Sequence, residues 1–305
     1  MVHIHLPISK SIANRILLLQ AIHRDPLMRV SSDMPDDVVL LHDALEALRH
    51  HTPGEKLTLQ LKNCGTALRF LQVHLAHYYP MEPIVLEMDE RLRERDGKPT
   101  SQTTSARILH SENIPLEPNE SPYITMSRRL VTNGEWRKAK MERCWSSAAF
   151  WYEYVAIHGG ELLLEGLTDD SLQGDRAVAD IYARYFHVET DFSDQGAGIY
   201  RLDKSENFDF PEEVHIDFEA MPDLYPAIAI TCERLGIRLH ATGTDRLRYK
   251  ESDRLEAVRL HQVRNDHRIA LALLMADYPI SETDRQCIAK SYPISLLSEA
   301  LTMMA

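Results

Sequence analysis

Three short stretches hold the residues best placed to do chemistry: Lys250-Glu251-Ser252-Asp253-Arg254, Asn265-Asp266-His267-Arg268 and Ser9-Lys10-Ser11-Ile12-Ala13-Asn14-Arg15. Each sets cations beside small polar side chains at the expected start of a helix. Free backbone N–H groups and the helix dipole already attract anions there. Arg15 is placed in the first turn of the apolar helix that includes Ile16-Leu17-Leu18-Leu19, and Arg69 in the first turn after Asn63-Cys64-Gly65-Thr66. Lys250 and Arg254 flank a third such start, and since a cation in that position opposes the dipole by roughly 0.3–1 kcal/mol, the three together point to a bound phosphate or carboxylate that compensates them.

The elements that must position these residues read as α/β. Short β-like runs, Leu57-Thr58-Leu59-Gln60-Leu61, Pro83-Ile84-Val85-Leu86 and Glu161-Leu162-Leu163-Leu164, alternate with helical periodicity. Three helices open alike: Asp36-Asp37 before Val38 to Leu48, Gly174-Asp175 before Arg176 to Tyr185, and Ser252-Asp253 before Arg254 to Val258. An Asp cap explains any one of them, whereas the recurrence of strand, Asp turn and helix points to an internally duplicated unit.

Bulk composition makes the cation clusters stand out. The chain has 305 residues, 34 Lys+Arg against 46 Asp+Glu and a formal charge of -12, which excludes the broad basic face of a nucleic-acid binder. At 44% hydrophobic and 26% charged it is an ordinary globular composition, long enough for two domains. Cys64, Cys144, Cys232 and Cys287 are scattered, with no CxxC, which suggests neither zinc nor a disulfide framework. No signal-peptide pattern and no apolar run of membrane length is present, so a cytoplasmic protein without membrane contact is expected. Of the 15 histidines, His50-His51 and His74 with His77 show no carboxylate or thiolate at ligand spacing, and no HExxH occurs; no metal is expected.

Read in order, Ser9–Arg15, Asn63-Cys64-Gly65-Thr66-Ala67-Leu68-Arg69, Glu90-Arg91-Leu92-Arg93-Glu94-Arg95, Met221-Pro222-Asp223, Lys250–Arg254, Asn265–Arg268 and Ala289-Lys290-Ser291-Tyr292-Pro293 resemble the signature motifs of the EPSP synthase (3-phosphoshikimate 1-carboxyvinyltransferase) family. The resemblance implies a two-domain inverse α/β barrel built from repeated βαβαββ units, with residues 10–142 as one domain and 1–9 plus 143–305 as the other. It implies transfer of the enolpyruvyl group of phosphoenolpyruvate to the 5-hydroxyl of shikimate 3-phosphate with release of phosphate and without cofactor. It also implies a monomer and inhibition by glyphosate, for which Gly65 leaves space.

By the same resemblance, Lys10, Ser11, Arg15, Thr100, Ser101, Gln102, Asp223 and Lys250 would meet shikimate 3-phosphate. Lys10, Gly65, Arg95, Gln102, Arg254, Arg268 and Lys290 would hold phosphoenolpyruvate. Asp223 matches the family's base, and Lys250 and Glu251 match its proton-transfer groups. His267 would position anions.

Several features depart from the family. Residues are missing between Pro99 and Thr100, near Asn133 to Met141, and between Leu260 and Arg264, and breaks in the chain are expected at the first and last of these. Glu120 and Arg246 stand where the family has serine and asparagine, and Cys144 where it often has Asp. A relative acting on UDP-N-acetylglucosamine is disfavoured, because that enzyme uses a loop cysteine and a Lys-Asn start. The remaining alternative is a non-catalytic protein that binds an anionic metabolite or a partner on the same fold.

Overall fold

The computed structural model describes residues 1–31, 34–94, 100–117, 120–138, 141–202 and 209–304. They form two compact units, Met1–Pro7 with Glu142–Ala305, and Ile8–Met141. The chain opens with β1 (Val2–Ile4) in the first unit and then builds the whole of the second.

The second unit runs α1 (Lys10–His23), α2 (Asp36–Arg49), β2 (Leu57–Lys62), α3 (Gly65–Tyr78), β3 (Ile84–Met88), α4 (Glu90–Glu94), α5 (Ser101–Leu109) and α6 (Pro122–Val131). Strands β2 and β3 pair in parallel with Leu59 opposite Leu86. Their alternating pattern buries Leu59 and Leu61 beneath the helices. Helix α1 is apolar on most of its surface, and Ile12, Ala13, Leu17 and Leu18 are buried in the core.

The chain then returns to the first unit with α7 (Trp145–His158), β4 (Glu161–Glu165), α8 (Ala177–Phe186), β5 (Val188–Ser193) and β6 (Gly196–Arg201). β1 lies parallel to β4, and β6 lies antiparallel to both β4 and β5, giving the order β1-β4-β6-β5. Thus β1, α7, β4, α8, β5 and β6 make one complete βαβαββ unit. Helix α7 is its centre: Trp145, Phe150, Trp151 and Tyr152 are all buried, each contributing about 1.5–3 kcal/mol through apolar burial.

A second copy begins with β7 (Glu213–Asp217), α9 (Tyr225–Leu235), β8 (Arg238–Thr242) and α10 (Arg254–Leu260), with β7 parallel to β8. It stops there. The expected break between Leu260 and Arg264 is not found: residues 261–266 lead directly into α11 (His267–Met275). The N–H groups of His261 and Gln262 donate to Val258 and Ala257, and that of Asp266 to Val263. His261, Arg264 and Asn265 take positive φ to make the reversal, so the segment is a built connection. The expected break at Pro99–Thr100 lies outside the described residues. The chain ends in α12 (Glu282–Gln286) and α13 (Ile294–Met304). No helix among the described residues is long and apolar enough to cross a membrane.

The histidines are better partnered than the sequence suggests. His51 Nε2 lies 3.0 Å from Glu82 and His77 Nε2 3.6 Å from Glu112. His74 is buried, its Nδ1 3.2 Å from His110 Nε2. Burial pushes its imidazole down from 6.5 to about 3, reinforced by His110 and His77. The unfolded chain therefore takes up a proton that the folded chain refuses. The stability present above pH 6.5 should be lost progressively toward pH 3, by up to about 1.4 kcal/mol per pH unit. Urea unfolding between pH 7 and 4 should show this slope, and His74→Phe, which keeps a ring but removes the titration, should flatten it.

Candidate functional site

In the first unit, a buried ion network centres on Arg254, the first residue of α10. Its Nε donates to Asp266 Oδ2 at 2.8 Å, one terminal nitrogen to Asp223 Oδ1 at 2.7 Å, and the other to Glu251 Oε2 at 2.9 Å. Asp223 also accepts from Lys250 Nζ at 3.3 Å and from Arg268 at 3.0 Å, and Glu251 accepts from Lys290 Nζ at 2.7 Å. Asp223, Lys250, Glu251, Arg254, Arg268 and Lys290, drawn from four separate stretches of sequence, are thereby brought together.

Local folding explains the convergence. Met221-Pro222-Asp223 forms a tight turn before α9, where Pro226 at the second helical position suits the fixed φ of proline. Gly243, at φ +65, ends β8 where a Cβ would collide with Asp217 and Glu219, so β8 can close against the β7 turn that leads to Asp223. Asp253 caps α10 by accepting from Glu256 N–H, and Asp266 caps α11 by accepting from Arg268 N–H. Of the three Asp openings read in the sequence, only Asp253 caps by its side chain. Asp36 makes no cap bond, and Asp175 accepts from Ser146 Oγ.

The electrostatics differ from the expectation that a bound anion compensates the cations at this helix start. The Arg254 dipole penalty is compensated by the protein's own carboxylates: burial opposes the guanidinium charge, and Asp266, Glu251 and Asp223 outweigh it, holding its pKa above the usual range. Lys250 is lowered by burial, with Asp223 opposing and Arg254 adding to the fall. Four cations face three carboxylates in this network, so its own balance is one positive charge.

In the second unit, Arg15 is fully buried but lies in the second turn of α1, not the first; Arg69 is likewise in the second turn of α3. Arg15 donates to Ser127 Oγ, Gln102 Oε1, Ser105 Oγ and the carbonyls of Ser11 and Tyr123 at 2.7–3.1 Å. These acceptors are all neutral, and burial lowers its pKa to about 10. Lys10 Nζ donates to buried Asp37 at 2.9 Å. Thr100 caps α5 in a reciprocal pair with Thr103, which puts Ser101 and Gln102 in the first turn. Gly65 starts α3. Arg95 lies outside the described residues.

The departures from the family are occupied elsewhere. Glu120 accepts from Arg128 at 2.6–3.1 Å, and Arg246 pairs with Glu219 at 2.7 Å. Cys144 precedes α7 and is buried, its N–H donating to Pro7 O at 2.9 Å.

The family model for EPSP synthase (3-phosphoshikimate 1-carboxyvinyltransferase) matches residues 103–261, just over half of the chain. The chain belongs to the EPSP synthase family. A 3-phosphoshikimate 1-carboxyvinyltransferase of Bacteroides fragilis is 25% identical, covering 95% of this chain and 92% of that protein. That alignment spans 394 positions against the roughly 290 residues of this chain it covers, so about a hundred positions of the relative have no counterpart here. The enzyme of the same name from Methanothermobacter thermautotrophicus is 33% identical over 118 residues, 38% of this chain and 26% of that protein. The solved EPSP synthase of Acinetobacter baumannii aligns with a TM-score of 0.60 at 16% identity, covering 98% of this chain and 95% of that one, which establishes a shared inverse α/β barrel fold. Family membership carries the enolpyruvyl transfer of the shikimate pathway with it, and nothing favours the non-catalytic alternative.

Sequence reasoning misses the carboxylates that hold these cations in place. Asp266, within a motif noted for its cations, is fully buried and ties Ser252, Arg254 and Arg268 N–H to one point. Asp37 does the same for Lys10. Asp175 reads in sequence as a helix opener; burial, then the charge of Asp223, pushes its carboxyl from 3.8 to about 6. A helix start and a buried carboxylate look identical in sequence, because the distinguishing partner, Ser146, is 29 residues away.

Between those two pKa values folded Asp175 keeps a proton that the unfolded chain has released. Its contribution is therefore complete below pH 3.8 and lost as pH rises through 6. Asp175→Asn, which can still accept from Ser146, should be more stable than the parent at pH 8 by about 1–3 kcal/mol and equal to it at pH 4. Thermal unfolding at both pH values is the check.

Proposed function

We propose that this chain uses its two units as the halves of an enolpyruvyl transferase, residues 10–142 and residues 1–9 with 143–305. It would work on shikimate 3-phosphate and phosphoenolpyruvate as a cytoplasmic monomer, with no nucleic-acid or membrane partner. The observation that carries the residue-level reading is Asp223: a buried carboxylate held by three cations from two other segments, Lys250 and Arg254 from one and Arg268 from the other. A carboxylate so oriented can take the proton of the acceptor's 5-hydroxyl.

Lys250, its ammonium made easier to deprotonate by burial, and Glu251, joined to Lys290, are the groups to move a proton at the methylene carbon of phosphoenolpyruvate. Arg254, Arg268 and Lys290 would grip its phosphate and carboxylate, displacing Asp223 and Glu251 from part of their pairing; planar guanidinium forks suit that exchange. Gly65, Arg95, Lys10 and Gln102 would complete that grip. Lys10, Ser11, Arg15, Thr100, Ser101 and Gln102, with Asp223 and Lys250, would hold shikimate 3-phosphate. Two features support this: the α5 N-terminus offers free N–H groups, and the charge of Arg15 has no carboxylate partner among the described residues. Glyphosate would compete in the space beside Gly65.

Phosphate release from shikimate 3-phosphate plus phosphoenolpyruvate, measured with a chelator present, tests the reading. Asp223→Asn should lower kcat by roughly 10²–10⁴, as loss of a general base does. Arg268→Ala should chiefly raise the phosphoenolpyruvate KM, since it removes a charge-assisted contact made before the chemistry. Tight binding of both substrates by the wild type without phosphate release, or dependence on a divalent metal, would contradict it.

A further inference from the structure

Away from this network, strands β7 and β8 present a second cluster. Their parallel register sets His215 directly opposite His240, and Glu213 lies two residues before His215, hence on the same exposed face; Val214 and Ile216 face the core. The two imidazoles stack at 4.5 Å with planes 9° apart, and both turn their Nε2 toward one carboxylate. His240 Nε2 is 3.2 Å from Glu213 Oε2, and His215 Nε2 is 3.7 Å from Glu213 Oε1. The three ligand atoms all lie within 4.8 Å of one another.

We propose that Glu213, His215 and His240 bind a divalent transition-metal ion of the zinc class, as a staple across β7 and β8 that is separate from the transfer chemistry. Imidazole with carboxylate is a donor set suited to zinc, which takes nitrogen and oxygen at about 2.0–2.2 Å. Ligands around a tetrahedral ion at that range stand about 3.3 Å apart, so the observed spacings need side-chain rotation only. Arg238, 3.5 Å from Glu213 and largely exposed, must swing aside; its exposed side chain is free to do so. A staple has a purpose here. Two-stranded sheets are marginal on their own, and β7 and β8 are the strands that lead into Asp223 and Lys250. An ion that binds the folded state alone also raises its stability by mass action.

The test uses the untagged full chain, stripped with chelator, titrated with zinc chloride against a chromophoric chelator and followed by thermal unfolding. One equivalent should bind and raise Tm. His240→Ala and His215→Ala should each weaken that binding at least tenfold and abolish the Tm rise, since even outer contacts of metal sites cost about 10–100-fold. His77→Ala should leave both readouts unchanged. Both histidines are exposed, so circular dichroism should confirm native folding of the variants. Failure of the parent to bind zinc at millimolar concentration, or full retention of binding in His240→Ala, would overturn the proposal, as would loss of binding in His77→Ala instead.

Discussion

Burying a guanidinium to 1% exposure carries a large desolvation cost, and at Arg254 the carboxylates of Asp223, Glu251 and Asp266 offset it. Those three acids stand on the turn before α9, on the segment before α10 and at the cap of α11. Satisfying one charge therefore fixes three pieces of chain relative to one another. Arg268, Lys250 and Lys290 join through the same acids. Removing Arg254 would leave the fully buried Asp266 carboxylate without its cation, at about 3–5 kcal/mol.

This constraint changes how anion binding must work. Cations waiting unpaired would repel one another and draw a ligand in by bare attraction. Here they are already paired, so a phosphate or carboxylate gains only what it adds beyond the acids it displaces. The benefit is preorganisation: the guanidinium forks are oriented before substrate arrives, as electrostatic stabilisation of a transition state requires. Arg15 represents the opposite case, buried against neutral acceptors with its pKa lowered.

Much of this was legible in the sequence. The strands at Leu57, Ile84 and Glu161 and the helices opened by Asp36 and Asp253 follow from periodicity and turn chemistry, which are local. So does the family itself, because its motifs are contiguous runs. The pairings were not legible. Asp223 and Arg254 are 31 residues apart and Glu251 and Lys290 are 39, so no spacing rule reaches them. The shortened second repeat was visible as missing residues, but its form was not. Positive φ at His261, Arg264 and Asn265 lets six residues join α10 to α11 where a longer stretch was expected.

The central claim is that Arg254 and Asp266 form one energetic unit on which the site is built. Unfolding free energies of Arg254→Met, Asp266→Asn and the double variant, measured by denaturant at pH 7, test it most directly. Arg254→Met should cost about 3–5 kcal/mol by stranding the Asp266 carboxylate, Asp266→Asn should cost less because Asp223 and Glu251 still face Arg254, and the double should cost less than their sum by about 1–3 kcal/mol. Strict additivity, with small single effects, would contradict the account.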